Sequence, residues 1–434
     1  MSALAGLVFL QMALIVAVSQ AVGYVFRWLQ QPLVVAQMLT GILLGPSLFG
    51  LLLPGVAGHV FPASSMGTLR ALGNVGLVLY IFTVGVSVPH GSIRRLATSA
   101  GSVAAASIVV PLAAGALLGW SLVGQDHLFP ADKPQWISIL FFATAMSATA
   151  FPVMARIIDE RGLQGTGVAN LALAAGSFTD AAAWCLLAVV VGAITGSFSG
   201  LALAVGGSLV FTIGVLRFGP NLLGRVFDDR DDQAPWQFPL MLLLLMAAAF
   251  FTEFIGVHPA LGAFVLGLAM PKTKQVARMQ SMLAPLAVNL LLPLFLVYAG
   301  LNTKIGLLAS GGLIAIGAVI VLVACIAKGA ACFAASFATG QGWRESVSIG
   351  ALMNARGLVE LIILTTGLEA GLITPALYSI MVVMAVLTTL LASPIIQLAL
   401  RPSPTPEPGS PAASQTPSTP AAQASPATPD RAGL

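Results

Sequence analysis

The stretch LALAAGSFTDAAAWCLLAVV, residues 171–190, holds a single charged side chain, Asp180, among twenty positions. A helix of about 20 apolar residues crosses a hydrocarbon layer roughly 30 Å thick. The stretch therefore reads as a membrane span with an acid at its centre. Outward from it the chain repeats the pattern. Of 434 residues, 58% are hydrophobic and 8% charged, where an ordinary soluble domain has about 25% charged residues. A water-soluble surface cannot be built from so few charges. This argues against a cytosolic enzyme, a secreted disulfide scaffold and a nucleic-acid binder. The strands of an outer-membrane barrel alternate apolar and polar residues. The runs here are continuous, so the expected class is an all-α polytopic membrane protein.

Apolar runs between polar breaks number about thirteen. They cover residues 4–26, 32–50, 69–88, 101–123, 136–155, 167–192, 197–216, 238–254, 258–270, 283–301, 311–338, 346–367 and 374–400. The ninth is short and could be tilted or merged with the eighth. The first lacks the basic start of a signal peptide and is long enough to span. Cys185, Cys325 and Cys332 lie inside apolar runs and read as small packing residues. With the N-terminus outside, the inner loops and tail hold Arg27, Arg94, Arg95, Arg156, Arg161, Arg217, Arg225, Arg230, Lys272, Lys274, Arg278, Arg344, Arg401 and Arg431. The outer loops hold only Arg70, Lys133 and Lys304. Basic residues concentrate on the cytoplasmic side, so the expected orientation is N-out, C-in. The net charge of +4 is too small to require an anionic partner. The charged run from Asp228 to Asp232 reads as a solvated loop. The tail, 401–434, is rich in Pro, Ser, Thr and Ala and has almost no large apolar residue. It is expected to be disordered and cytoplasmic.

With charges in loops, at span ends such as Arg70, and in the tail set aside, five charged residues remain within spans: Asp180, Glu253, Lys328, Arg356 and Glu360. Charge at membrane depth costs several kcal/mol and marks function or structural pairing. Desolvation disfavours the charged form of a carboxylate, which lets such a group hold a proton near neutral pH. A cation can displace that proton. One carboxylate serving two competing ligands is the minimal chemistry of a cation/proton exchanger, and Asp180 is placed to supply it. The competing reading is a structural aspartate bonded between helices. Lys328 is too central to snorkel easily and needs a carboxylate or a helix C-terminus as partner. It serves either as a counter-charge to Asp180 or as a brace for broken helices. Arg356 and Glu360 are one helical turn apart and can pair along one face, a mainly structural role. Glu253 and His258 lie near a membrane end, where gating or pH sensing is the functional option.

Two spans are interrupted. In FFATAMSATAFPVMARIID (141–159), Pro152 removes a backbone donor and disfavours helix at Phe151. Carbonyls freed around Thr149 and Ala150 could ligate a cation. In SIGALMNARGLVELIILTTG (348–367), Asn354 and Gly357 flank Arg356 and break an apolar helix. Such breaks are tolerated at membrane depth only where they line a cavity or are buried in protein, and their half-helix ends supply fixed partial charges. Taking the seventh span (about 197–217) as a linker leaves two sets of six, about 1–192 and 238–400. The break falls in the fifth member of each. Interrupted helices at matching places in two halves point to an inverted-repeat transporter.

The stretches MSATAFPVMARIIDERGLQGTGVANLALAAGSFTDAAAW, FIGVHPALGAFVLGLAMPK, LLLPLFLVYAGLNTKI and ALMNARGLVELIILTTGL carry a resemblance to the monovalent cation:proton antiporter superfamily. The chain is most similar to the branch with plant cation/H+ exchangers and bacterial Na+ or K+/H+ antiporters. The likeness runs to about Leu400. It implies two crossing broken helices, at Thr149–Pro152 and Asn354–Gly357, framing Asp180 as the aspartate that binds the transported Na+ or K+. It also implies Lys328 as the family's core lysine, a homodimer, and elevator-like movement of a core bundle. There are departures. Thr179 stands where an acid or amide is common. Electrogenic members carry two adjacent acids, so Asp180 alone implies one cation per proton without net charge movement. Ala150 stands where some relatives have a polar side chain and offers only backbone oxygen. Large cytosolic domains common in relatives are replaced by the tail, so nucleotide or glutathione gating is not expected.

The expectation is a secondary antiporter, not an enzyme, multi-pass in a bacterial cytoplasmic (inner) membrane. Its partners are Na+ or K+, H+ and the bilayer, with no cofactor. A sodium-coupled organic anion symporter on a related fold is the alternative. An ion channel ranks lower, because no TVGYG-type filter is present. An intramembrane aspartyl enzyme ranks lowest, because Asp180 has no second aspartate within a span to share a proton.

Overall fold

The structure, a computed structural model, describes residues 2–88, 97–163, 165–194, 198–228, 235–309 and 311–400. Arg94, Arg95, Arg230, residues 229–232 of the charged run and the tail 401–434 lie outside the described residues.

Among the described residues there are α-helices and no strand. In order, these are α1 (Ser2–Trp28), α2 (Leu33–Leu44), the short α3 (Phe49–Leu52) and α4 (Pro54–Val60), and α5 (Ala63–Ser87). Next come α6 (Ala97–Leu122), α7 (Gln135–Ser147), α8 (Phe151–Glu160), α9 (Gly167–Ile194) and α10 (Phe198–Val226). The last eight are α11 (Gln237–Phe254), α12 (Pro259–Ala269), α13 (Lys274–Leu286), α14 (Leu292–Leu301), α15 (Gly311–Ala338), α16 (Trp343–Met353), α17 (Leu358–Glu369) and α18 (Pro375–Ala399). Eleven helical segments are long and apolar enough to cross a membrane, and α7 and α12 are shorter apolar helices. Together they cover every segment read from the sequence.

The ends follow local chemistry. Pro54, Pro259 and Pro375 open α4, α12 and α18, at the position where a missing N–H is harmless. The ninth segment is not merged with the eighth: α11 and α12 are separated at Gly256, whose φ is +82°. Three helices overrun the segments read from the sequence by six residues or more. α5 begins at Ala63 and carries Arg70, α10 runs on past Arg217 and Arg225, and α13 begins at Lys274. Long basic side chains reach solvent from a helix end, so a charge there does not end the helix. Thr273 caps α13 by accepting from the Val276 amide at 3.3 Å. A π-helical turn, Ala287–Leu291, joins α13 to α14. It lies just ahead of Pro293, whose ring and missing N–H disturb regular α-helical bonding.

Packing is repeated across the two halves. α5 packs on α12, and in the corresponding pairing α14 packs on α2. α1 lies on α2 as α11 lies on α12. α6 lies on α7 as α15 lies on α16, and α9 contacts α7 and α8 as α18 contacts α16 and α17. The contacts match in detail. A Cβ on Gly41 of α2 would meet the Val297 carbonyl oxygen of α14 at 2.5 Å, and one on Gly267 of α12 would meet that of Phe82 of α5 at 2.5 Å. One group of helices, α6–α9 with α15–α18, surrounds the two breaks. A second comprises α1, α2, α5 and α11–α14, and α10 touches both through α9 and α12.

Candidate functional site

Two helices stop short and cross. α7 ends at Ser147, Ala148 turns to φ −59° and ψ 141°, and α8 starts at Phe151. The sequence reading set the disfavoured position at Phe151. The break instead spans 148–150, and Pro152 stands in the first turn of α8, where proline is tolerated. In the second helix Asn354 closes α16 and α17 starts at Leu358. Gly357 holds φ +158°, and a Cβ there would lie 3.0 Å from Val153 Cγ2. The two extended segments are joined by the Ala150 amide, which donates to the Ala355 carbonyl at 3.1 Å.

Asp180, on α9, is 2% exposed. Its Oδ1 accepts from the Phe151 amide at 3.4 Å. That amide is the N-terminus of α8, the end at which a helix favours negative charge. Among the described residues, Asp180 forms no ion pair. Thr179 turns its hydroxyl to its own helix and donates to the Gly176 carbonyl at 2.8 Å. Thr149 faces the Ser107 hydroxyl at 3.5 Å. The Ala150 carbonyl already accepts from the Met154 amide at 2.9 Å. The Thr149 carbonyl accepts no hydrogen bond among the described residues.

Two cations cover the other side of the first break. Lys328, fully buried on α15, donates to the carbonyls of Ser147 and, at 2.8 Å, of Ala148. Its partner is a helix C-terminus and not a carboxylate. Arg356 donates to the carbonyls of Ala145 at 3.3 Å and Met146 at 2.7 Å, and pairs with Glu360 at 3.3 Å. Four successive carbonyls at the end of α7, those of residues 145–148, thus receive positive groups, as a helix C-terminus favours; that of Ala145 also accepts from the Ala148 amide at 3.3 Å.

Glu253 is exposed near the end of α11, apart from this cluster. His258 caps α12 by accepting from the Ala260 amide at 3.3 Å, and its ring stacks on Trp184 at 5.9 Å. Trp184 is one turn beyond Asp180 on α9. Ser107 and Thr389 were not singled out from the sequence. Thr389 was legible in the match between FTDAAA (178–183) and LTTLLA (387–392). Ser107, a lone serine in an apolar run, carried no such signal. Among the described residues no three His, Cys, Asp or Glu side chains gather. One carboxylate with hydroxyls and carbonyls suits a hard monovalent cation better than a transition metal.

The family model described as "Sodium/hydrogen exchanger, transmembrane" matches residues 13–401. The Na(+)/H(+) antiporter NhaS4 of Synechocystis sp. is 32% identical over 407 residues, covering 92% of this chain and 98% of that one. The Cation/H(+) antiporter 20 of Arabidopsis thaliana is 33% identical over 413 residues, and the match takes in 92% of this chain and 49% of the plant protein. The solved structure of the sodium proton antiporter MjNhaP1 from Methanocaldococcus jannaschii at pH 8 superposes with a TM-score of 0.65 at 18% identity, over 89% of this chain and 97% of that one.

Proposed function

Because the chain belongs to the sodium/hydrogen exchanger family of membrane proteins, we propose that it is a secondary antiporter exchanging a monovalent cation, Na+ or K+, for H+. The observation that carries this reading is Asp180: a buried carboxylate at the N-terminus of a half-helix, unpaired among the described residues, beside two broken helices. H+ and the cation compete for it. The carrier reorients with either one bound and does not reorient with the bare carboxylate. The relatives' names favour antiport over symport or a channel.

The repeated packing supports two inverted repeats, about 1–192 and 238–400, linked by α10. The excess of basic residues on one side supports an N-out, C-in orientation in a bacterial cytoplasmic membrane, with 401–434 as a cytoplasmic tail. The protein works as a homodimer in which α6–α9 and α15–α18 move against the other helices. Asp180 and, through their oxygens, Thr149 and Thr179 hold the ion. Ala150 and Ala355 hold the crossing together. Lys328 balances the charge of the site while it braces the end of α7.

Proteoliposomes holding a pH gradient test this. Added Na+ or K+ should dissipate the gradient with the native protein and not with Asp180→Asn, while the variant stays monodisperse with native melting. Dissipation by Asp180→Asn would refute the role of that carboxylate.

A further inference from the structure

The two halves each place a polar side chain against a break. In the first, Asp180 on α9 accepts from the Phe151 amide. In the second, the residue at the matching place on α18 is Thr389, by the correspondence of FTDAAA and LTTLLA. Thr389 is fully buried, and its Oγ1 accepts from the Arg356 amide at 2.9 Å. Its one hydroxyl proton goes to the Arg356 carbonyl at 2.7 Å or the Ala385 carbonyl at 2.8 Å. A threonine on a helix ordinarily donates back to its own chain, as Thr388 does to Ala385 at 3.2 Å. Thr389 has that option too, but it also reaches across to the backbone of the break between α16 and α17.

The bonds are continuous. Thr389 holds the backbone of Arg356. The next carbonyl back, Ala355, takes the Ala150 amide. The next amide on, Phe151, meets Asp180. The same fixed backbone sets where the Arg356 guanidinium meets Ala145, Met146 and Glu360. We propose that Thr389 is a positioning residue for cation binding: it fixes the second break, and through the Ala355–Ala150 bond the first, in the geometry that Asp180 needs. One half of the molecule titrates at this place, and the other is held there by a group that does not.

This inference rests on the exchange reading above. It is tested with full-length protein in the same proteoliposome assay, measuring exchange rate against Na+ and K+ concentration. Thr389→Val, which keeps the shape and loses the hydroxyl, should raise the half-saturating cation concentration about 5- to 10-fold, the worth of a buried hydrogen bond, with a smaller change in maximal rate. Thr389→Ser should restore the native value. Thr388→Val, which loses a bond confined to α18, should leave it unchanged. A native half-saturation for folded Thr389→Val, or an equal shift with Thr388→Val, overturns the proposal. If Thr389→Val does not fold, Thr389→Cys against Thr389→Ser decides in the same way: a shift in the cysteine variant alone supports it, and none overturns it. Failure of the native protein to exchange at all would sink the exchange reading itself, which these variants do not test.

Discussion

Glu360 gives one carboxylate oxygen to Arg356, while its Oε2 and the Arg356 Nε have no hydrogen-bond partner among the described residues. Both side chains are fully buried. Removing the acid leaves a guanidinium in apolar surroundings with only two carbonyls, and breaking a buried pair costs about 3–5 kcal/mol. Glu360→Leu should lower the thermal stability of the detergent-solubilised protein by that order. Pairing it with Arg356→Met should recover part of the loss, because a packed apolar pair often replaces a buried ion pair without penalty. Recovery should stay incomplete, since the Met146 carbonyl loses its donor. Equal melting of the double and single variants would contradict this account.

At the scale of helices, the matched glycines decide how closely the second bundle packs. Gly41→Ala and Gly267→Ala each drive a methyl to 2.5 Å from a facing carbonyl oxygen, and overpacking of this kind costs about 1–3 kcal/mol. Gly6→Ala, with nothing within 4 Å, should melt as the native protein does. Chemical denaturation of the three variants makes the comparison. Much of this level could be read from the chain: every apolar segment has its helix, and both breaks lie within two residues of where Pro152 and Gly357 put them. Helix ends beyond Arg70, Arg217 and Lys274 could not, because a basic side chain at a membrane surface is compatible with helix or loop. For Lys328 the sequence offered a carboxylate or a helix C-terminus and could not choose between them, since the carbonyls it meets are backbone groups that any residue would supply. The correspondence of LVLYIFTVG (77–85) with LPLFLVYAG (292–300) was legible and ties α5 to α14, the helices that present the glycine contacts.

Across the whole molecule, the two groups of helices are tied at opposite ends of α18. Near its start, Arg70 of α5 pairs with Glu369 at 2.8 Å. Near its end, Gln30, between α1 and α2, accepts from Arg161 at 2.7 Å through its carbonyl and from Gln397 at 2.7 Å through its side chain. Movement of one group past the other must break one tie or both. Cysteines at positions 70 and 369, with the native cysteines replaced and a short bis-thiol linker added, should stop exchange. Full exchange by the cross-linked protein would argue against that movement. The buried cluster adds a consequence of a different kind. Asp180 and Glu360 against Lys328 and Arg356 are two formal charges of each sign, so the empty site is balanced and either ion adds one charge. A membrane potential does work of about 2.3 kcal/mol per charge per 100 mV, and on the outward and return legs these terms cancel. The cation gradient at which net exchange stops should not shift under imposed voltages, and a shift with voltage would count against a single shared carboxylate. A cell could then trade cations for protons through this protein without discharging its electrical gradient, the concentration ratios alone setting the direction.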